Sequence, residues 1–184
     1  MRGKPDQQRF EMLLREHQGI VFKVARAYAR AAHDRDDLAQ EIAAQLWRSF
    51  GSFDERRAKF TTWMYRVALN VAISHARSEK RSGAEQLEPF DSAHLETVAS
   101  EHGSHHEAME LNERLATLHA FIAQLDPLNR ALVLLYLEDR SYAEIADVLG
   151  ISETNVATKL NRIKQKLRAQ VADAKTTGVK NGTR

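Results

Sequence analysis

The sequence predicts an all-α protein of two small helical domains, joined by a flexible acidic linker, with a helix-turn-helix in the C-terminal domain. Three Pro and eight Gly in 184 residues leave little material for the turns of a many-stranded sheet. Long stretches rich in Ala, Leu, Arg and Glu favour helices. Apolar residues recur at three- and four-residue steps in two blocks. We therefore expect a first domain over residues 1–81, a linker over 82–106, a second domain over 107–175 and a disordered tail over 176–184.

Three helices are predicted in the first domain, over residues 6–31, 35–49 and 58–81. Each has apolar residues at helical spacing, so the three could bury one small core. Gly19 lies inside the first helix, where it costs about 1 kcal/mol relative to Ala. We therefore expect a kink or a close contact at that glycine.

Charge is distributed unevenly along the chain. Residues 82–113 contain eight acidic residues and no Lys or Arg, which leaves 17 of the 25 acidic residues against all 27 basic ones elsewhere. Two basic domains joined by an acidic segment describe the chain better than its net charge of +2 does. Basic surfaces of this kind favour a nucleic-acid partner.

Several classes of protein are disfavoured. The chain has no Cys, so it has neither disulfides nor thiolate metal sites. The polar N-terminus lacks the apolar core of a signal peptide, and no apolar stretch approaches the roughly 18–20 residues of a membrane span. We expect a cytoplasmic protein without membrane insertion. His102, His105 and His106 could suggest a histidine-based metalloenzyme, but they lie in a flexible stretch, so we expect no metal, no cofactor and no enzyme activity.

Capping signals divide the second domain into helices. Asp126-Pro127 is a strong helix start, with Asp as N-cap and Pro at the first helical position. Ser141 to Glu144 forms a capping-box pattern, Gly150 supplies a left-handed C-cap, and Ser152 caps a basic helix to about residue 173. A short helix, a tight turn and a basic helix predict a helix-turn-helix that binds DNA.

The last helix carries donors suited to base edges and phosphates. Those predicted to contact DNA are Asn155, Thr158, Lys159, Asn161 and Arg162. A plain helical hairpin with a solvated basic face is the simpler alternative. A stand-alone helix-turn-helix regulator that binds operator DNA as a homodimer is the alternative function.

The order of these parts resembles a known family. Ile122–Arg130 (IAQLDPLNR), Ser141–Gly150 (SYAEIADVLG) and Asn155–Arg168 resemble region 4 of extracytoplasmic-function sigma factors of the sigma-70 family. Asp34–Arg48 (DRDDLAQEIAAQLWR) and Phe60–Asn70 (FTTWMYRVALN) resemble region 2. Two separate blocks in the family's order make the resemblance stronger than either block alone.

The resemblance implies a sigma factor that binds core RNA polymerase and directs promoter recognition and transcription initiation. Its implied partners are core polymerase and promoter DNA, with an anti-sigma factor as a further candidate. Region 2 would dock on the coiled-coil clamp helices of the largest polymerase subunit and melt the minus-ten element, and region 4 would bind the minus-thirty-five element. The candidate polymerase-binding residues are Asp37, Leu38, Gln40, Glu41 and Trp47.

Aromatic residues beside cations suit unpaired DNA, because bases stack on rings and phosphates pair with positive charge. On this ground Phe53, Phe60 and Arg77 are candidate minus-ten residues, and for Tyr65, Arg66 and Asn70 the resemblance implies contacts to the upstream edge of the minus-ten element. The alternative is that the aromatic residues are core, which we expect in part for Trp63.

Two positions depart from the family pattern. Ser74 stands where members often carry an acidic residue, four positions after Asn70. Ala157 replaces an Arg or Lys of the usual recognition helix, which leaves the preference at the minus-thirty-five element open.

Overall fold

A computed structural model of the chain describes the backbone over residues 4–82 and 105–180, and side chains over 7–79 and 115–172. These ranges contain seven α-helices, one short 3-10 helix at Phe50–Ser52 and no strand, which confirms the all-α prediction for the part described. The helices are α1 (Lys4–Tyr28), α2 (Ala32–Ser49), α3 (Phe60–Ser82), α4 (His105–Gln124), α5 (Pro127–Leu137), α6 (Tyr142–Leu149) and α7 (Glu153–Lys180). Most of the predicted linker, the linker histidine side chains and residues 181–184 lie outside what is described.

Helices α1, α2 and α3 pack against one another and form the first domain. Val24, Leu38, Ile42 and Met64 are fully buried between them. The helix boundaries differ from the predicted ones by a few residues. For example, α3 begins at Phe60 because the Asp54 carboxylate accepts a hydrogen bond from the Arg56 amide at 3.0 Å and holds the preceding segment in a turn.

The structure corrects the expectation for Gly19. Helix α1 continues through this residue, and no heavy atom lies within 4 Å of the position that a Cβ would occupy, apart from the helix's own backbone and the adjacent residues. The expected close contact is therefore wrong, and the glycine contributes only its unfavourable backbone entropy.

The predicted caps of the second domain are present. Asp126 accepts a hydrogen bond from the Asn129 amide at the start of α5, and Ser141 and Glu144 form the reciprocal capping box of α6. Gly150 ends α6 with φ +67°, a left-handed conformation that favours glycine. Ser152 accepts from the Asn155 amide at 3.2 Å and caps α7. Helix α7 continues to Lys180, past the predicted domain end at residue 175.

The two domains lie against each other. One continuous hydrophobic cluster includes buried residues of α1, α2 and α3 together with residues of α5, α6 and α7. Helix α3 contacts both α5 and α6, and α1 contacts α5. Within the described ranges, none of the helices combines the length and the apolar character that crossing a membrane requires.

Candidate nucleic-acid interface

Helices α6 and α7 form the helix-turn-helix. Val156, Leu160 and Ile163 form the buried face of α7, at the three- and four-residue spacing that places them on one side of the helix. The turn between the helices is closed by hydrogen bonds from the Gly150 and Ile151 amides to the Ala146 carbonyl, at 2.9 and 3.2 Å. Because the buried face and the turn are both fixed, the opposite face of α7 is held toward solvent.

That outer face carries the predicted DNA-contacting residues. Asn155, Thr158, Asn161 and Arg162 are exposed, and Lys159 is half-buried. The Thr158 hydroxyl already donates to the Thr154 carbonyl at 2.8 Å, so toward a ligand it acts as an acceptor. The structure brings these five side chains onto one helix, and their contacts with DNA remain predictions.

Lys164 and Tyr136 add a feature that the sequence reasoning missed. The Lys164 ammonium lies 4.1 Å from the centre of the Tyr136 ring and donates to its hydroxyl at 2.9 Å. This contact links α7 to α5 and fixes a positive charge beside the outer face of α7. No local sequence signal predicts it, because the two residues are 28 positions apart.

The candidate minus-ten residues of the first domain divide by exposure. Asn70 and Arg77 are exposed on α3, and Phe53 is half-buried. Phe60 and Tyr65 are buried in the core, with 9% and 1% of their surface exposed. In this conformation the rings of Phe60 and Tyr65 are therefore part of the core, which is the alternative to a role in DNA binding.

Four aromatic rings of this domain, those of Phe50, Phe53, Phe60 and Trp63, form one connected group. Phe53 lies 5.3 Å from Phe60 and 5.2 Å from Trp63, measured between ring centres, and Phe50 contacts all three rings. Trp63 is 9% exposed, so it belongs to the core, as expected in part. Phe53 is the ring of this group that remains partly open to solvent.

Tyr65 and Arg66 are engaged by the second domain. The Tyr65 hydroxyl donates to the Glu138 carboxylate at 3.3 Å, and the Arg140 guanidinium lies 5.3 Å from the centre of the Tyr65 ring. Arg66 donates to the backbone and side-chain oxygens of Asp147 at 2.9 and 2.8 Å. Burial, with the neighbouring negative charge of Glu138, raises the pKa of Tyr65 to about 12, so its hydroxyl stays protonated and donates.

Further contacts between the domains surround this pair. Lys23 forms an ion pair with Glu138 at 2.7 Å, and the Tyr28 hydroxyl donates to the Pro127 carbonyl at 2.6 Å. Arg130 donates to the Ala27 carbonyl of the first domain at 3.3 Å and, within its own domain, to the Ala123 carbonyl at 2.7 Å. Burial raises the pKa of the Tyr28 hydroxyl and lowers that of the Arg130 guanidinium.

The candidate polymerase-binding face lies on α2. Asp37, Gln40 and Glu41 are exposed, and Trp47 is half-buried with its ring 5.1 Å from that of Phe10. Leu38 requires a correction, because it is fully buried beneath this face and cannot touch a partner in this conformation. Its spacing along α2 places Leu38 on the buried face of the helix with Ile42 and Leu46, and not on the face that carries the acidic residues.

Comparisons with known proteins cover both domains. The family model for Sigma-70 region 2 matches residues 13–82, and that for Sigma-70 region 4 matches residues 115–167. The chain is 28% identical to the ECF RNA polymerase sigma factor SigW of Bacillus subtilis, over 92% of each chain. It is 30% identical to the RNA polymerase sigma-H factor of Pseudomonas aeruginosa, over 87% of this chain and 84% of that protein.

A solved structure has a similar fold. It is the sigma factor RpoE in complex with the anti-sigma factor NepR from Bartonella quintana, which aligns with a TM-score of 0.65 over 90% of this chain and 98% of that one. The two sequences are 18% identical, so this likeness concerns the fold alone.

Proposed function

Because this chain belongs to the extracytoplasmic-function family of RNA polymerase sigma factors, we propose that its two helical domains divide promoter recognition between them. The chain binds core polymerase and promoter DNA and directs transcription initiation, without enzyme activity of its own. Its work takes place in the cytoplasm, where bacterial polymerase transcribes the chromosome. An anti-sigma factor remains a candidate partner, which the RpoE–NepR complex of the similar fold supports.

We assign the minus-thirty-five element to the second domain. The observation that supports this most strongly is the capped helix-turn-helix. It packs the apolar face of α7 into the core and leaves the polar face of α7 exposed to solvent. A helix of this kind reads base edges in the major groove with its first turns. Asn155, Thr158 and Asn161 offer amide and hydroxyl groups to bases, and Lys159 and Arg162 offer charge to bases or phosphates.

We assign polymerase docking and the minus-ten element to the first domain. The exposed carboxylates of Asp37 and Glu41 and the amide of Gln40 form an acidic patch on α2 that suits a basic partner surface. Asn70 and Arg77 on α3, with the partly open ring of Phe53, suit unpaired DNA. The candidate residues for the two partners thus lie on different parts of one domain, on α2 for polymerase and on α3 and the segment before it for DNA.

Run-off transcription tests the function. Purified chain and core polymerase are incubated with a library of genomic promoter fragments, and transcripts that depend on the chain are sequenced. A sigma factor yields discrete start sites that neither component produces alone. Protection of palindromic DNA by the chain alone, with no polymerase-dependent transcript, would instead support a stand-alone regulator.

A charge reversal tests the docking face. Asp37→Lys with Glu41→Lys should weaken assembly with core polymerase, measured by fluorescence anisotropy, because attraction to a basic surface becomes repulsion. The control is Glu11→Lys with Glu16→Lys, the same charge change at exposed positions of α1. Equal affinities of the two double variants would refute the assignment.

A further inference from the structure

We propose that Arg9, near the N-terminal end of α1, is a positioning residue for the DNA-opening part of the first domain. Its guanidinium forms an ion pair with the Glu55 carboxylate, in the turn over residues 53–59 that precedes α3. The role rests on the proposed function, which places Phe53 of this turn at the minus-ten element. Arg9 acts through the turn and does not itself touch DNA.

The hydrogen bonds within the turn set its shape but not its orientation. The Arg57 and Ala58 amides donate to the Asp54 carbonyl at 3.0 and 3.3 Å, and the Arg56 amide donates to the Asp54 carboxylate at 3.0 Å. These bonds join close neighbours along the chain, so they close the turn on itself. How the turn is directed relative to the three helices depends on contacts with other elements.

Helix α1 holds the turn region through two adjacent residues. The Phe10 ring lies 5.2 Å from the Phe50 ring, just before the turn, and Arg9 reaches Glu55 within it. Phe10 is buried, with 5% of its surface exposed, so its contact is a fixed support. Because one rigid helix carries both side chains, attachment at Phe50 and at Glu55 fixes the direction of the turn as well as its place.

The turn presents groups suited to unpaired DNA. Phe53 is half-buried, and the Arg56 and Arg57 side chains that follow it are exposed. A partly open ring with nearby cations can stack on a base and pair with phosphates. A loop that is already held in its binding position loses less conformational entropy when it binds. The attachment to α1 therefore favours DNA opening by fixing the turn in advance.

The expected effect is modest, because the ion pair lies on the surface. The Arg9 and Glu55 side chains are 49% and 64% exposed, and water and salt weaken the attraction between exposed charges. Loss of the pair should therefore lower open-complex formation about two- to fivefold and not abolish it. The chain should stay folded, since the buried core of the first domain is unchanged.

Exchange of the two charges tests the role of Arg9 in complexes with core polymerase. Arg9→Glu places two carboxylates together and should lower the permanganate reactivity of unpaired thymines about two- to fivefold. Arg9→Glu with Glu55→Arg restores opposite charges and should recover most of the wild-type reactivity. Arg15→Glu, the same charge change at an exposed position of α1, is the matched control and should leave reactivity unchanged. All of these proteins should bind core polymerase with equal affinity in fluorescence anisotropy.

The orientation of the turn is measured separately in the free full chain, by nitrogen-15 relaxation of its backbone amides. Order parameters over residues 54–58 should fall in Arg9→Glu, from about 0.85 toward 0.6, and recover in the charge-exchange protein. Three outcomes would overturn the role of Arg9: wild-type behaviour of Arg9→Glu, a charge-exchange protein as defective as Arg9→Glu, or a looser turn without loss of reactivity. The proposed function fails separately, if wild type opens no promoter DNA with polymerase, and the order parameters then still report whether Arg9 holds the turn.

Discussion

Asn70 offers the cleanest test of the minus-ten assignment. It is exposed on α3, so Asn70→Ala removes a side chain that contributes little to the fold, and the free energy of unfolding should change by no more than about 0.5 kcal/mol. A neutral hydrogen bond to DNA contributes about 0.5–1.5 kcal/mol. Its loss should lower open-complex formation about twofold to tenfold, since about 1.4 kcal/mol corresponds to a factor of ten.

Tyr65→Ala would not give an equally clear answer. Truncating a buried aromatic residue costs about 3–5 kcal/mol, a large part of the stability of a small domain. Loss of DNA opening by that variant would not separate a lost DNA contact from unfolding. The exposed Asn70 avoids this difficulty.

The assay for Asn70→Ala is permanganate reactivity of unpaired thymines in complexes with core polymerase, together with urea unfolding of the free chain. Ser78→Ala, at another exposed position of α3, is the control and should melt DNA normally. Wild-type permanganate reactivity of Asn70→Ala would refute the assignment. If Asn70→Ala lowers both the permanganate reactivity and the free energy of unfolding, the expectation that this exposed side chain contributes little to the fold is wrong.

Three other changes have defined outcomes. Ala157→Arg should strengthen binding to minus-thirty-five elements that contain guanine by about 1–3 kcal/mol relative to elements without it, because arginine can donate to guanine O6 and N7. Selection over randomised promoters measures this preference, and an unchanged selected motif would contradict the prediction. Gly19→Ala should raise the free energy of unfolding by up to about 1 kcal/mol in urea titrations, because open space surrounds the new methyl group, and a destabilised variant would show a hidden contact. Burial raises the pKa of Tyr65 from 10.0 to about 12, so its contribution to stability is complete below pH 10 and is lost as the pH rises toward 12. Urea unfolding across that interval should therefore show a shallower decline for Tyr65→Phe than for wild type, and equal slopes would argue against the buried hydroxyl.

Local signals predicted the second domain well. The Asp126 cap, the Ser141–Glu144 capping box and the Gly150 end of α6 all depend on residues within a few positions of one another. Hydrogen bonds of this range are encoded by residue type and spacing, so they can be read directly. The start of α2 was predicted less accurately, because Ala31 makes no side-chain cap that could have marked it.

Periodicity separated inner from outer faces only in part. It correctly placed Asp37, Gln40 and Glu41 outside the buried apolar face of α2. The same periodicity indicates that Leu38 belongs to that buried face. The cluster of aromatic residues and cations suggests a DNA-binding role for Phe60, and the family resemblance implies one for Tyr65. The helix period does not show which other element covers either ring. Burial of Tyr65 comes from packing against a second domain.

The sequence by itself determined the helical class, the two domains, the helix-turn-helix with its caps, and the family to which the chain belongs. Only the tertiary structure decided that Lys23 meets Glu138 and that Arg66 meets Asp147, across separations of 115 and 81 residues. Caps and periodicity arise from neighbours along the helix, which the chain order fixes in advance. Contacts between distant residues depend on how complete surfaces fit, and no spacing rule encodes that fit.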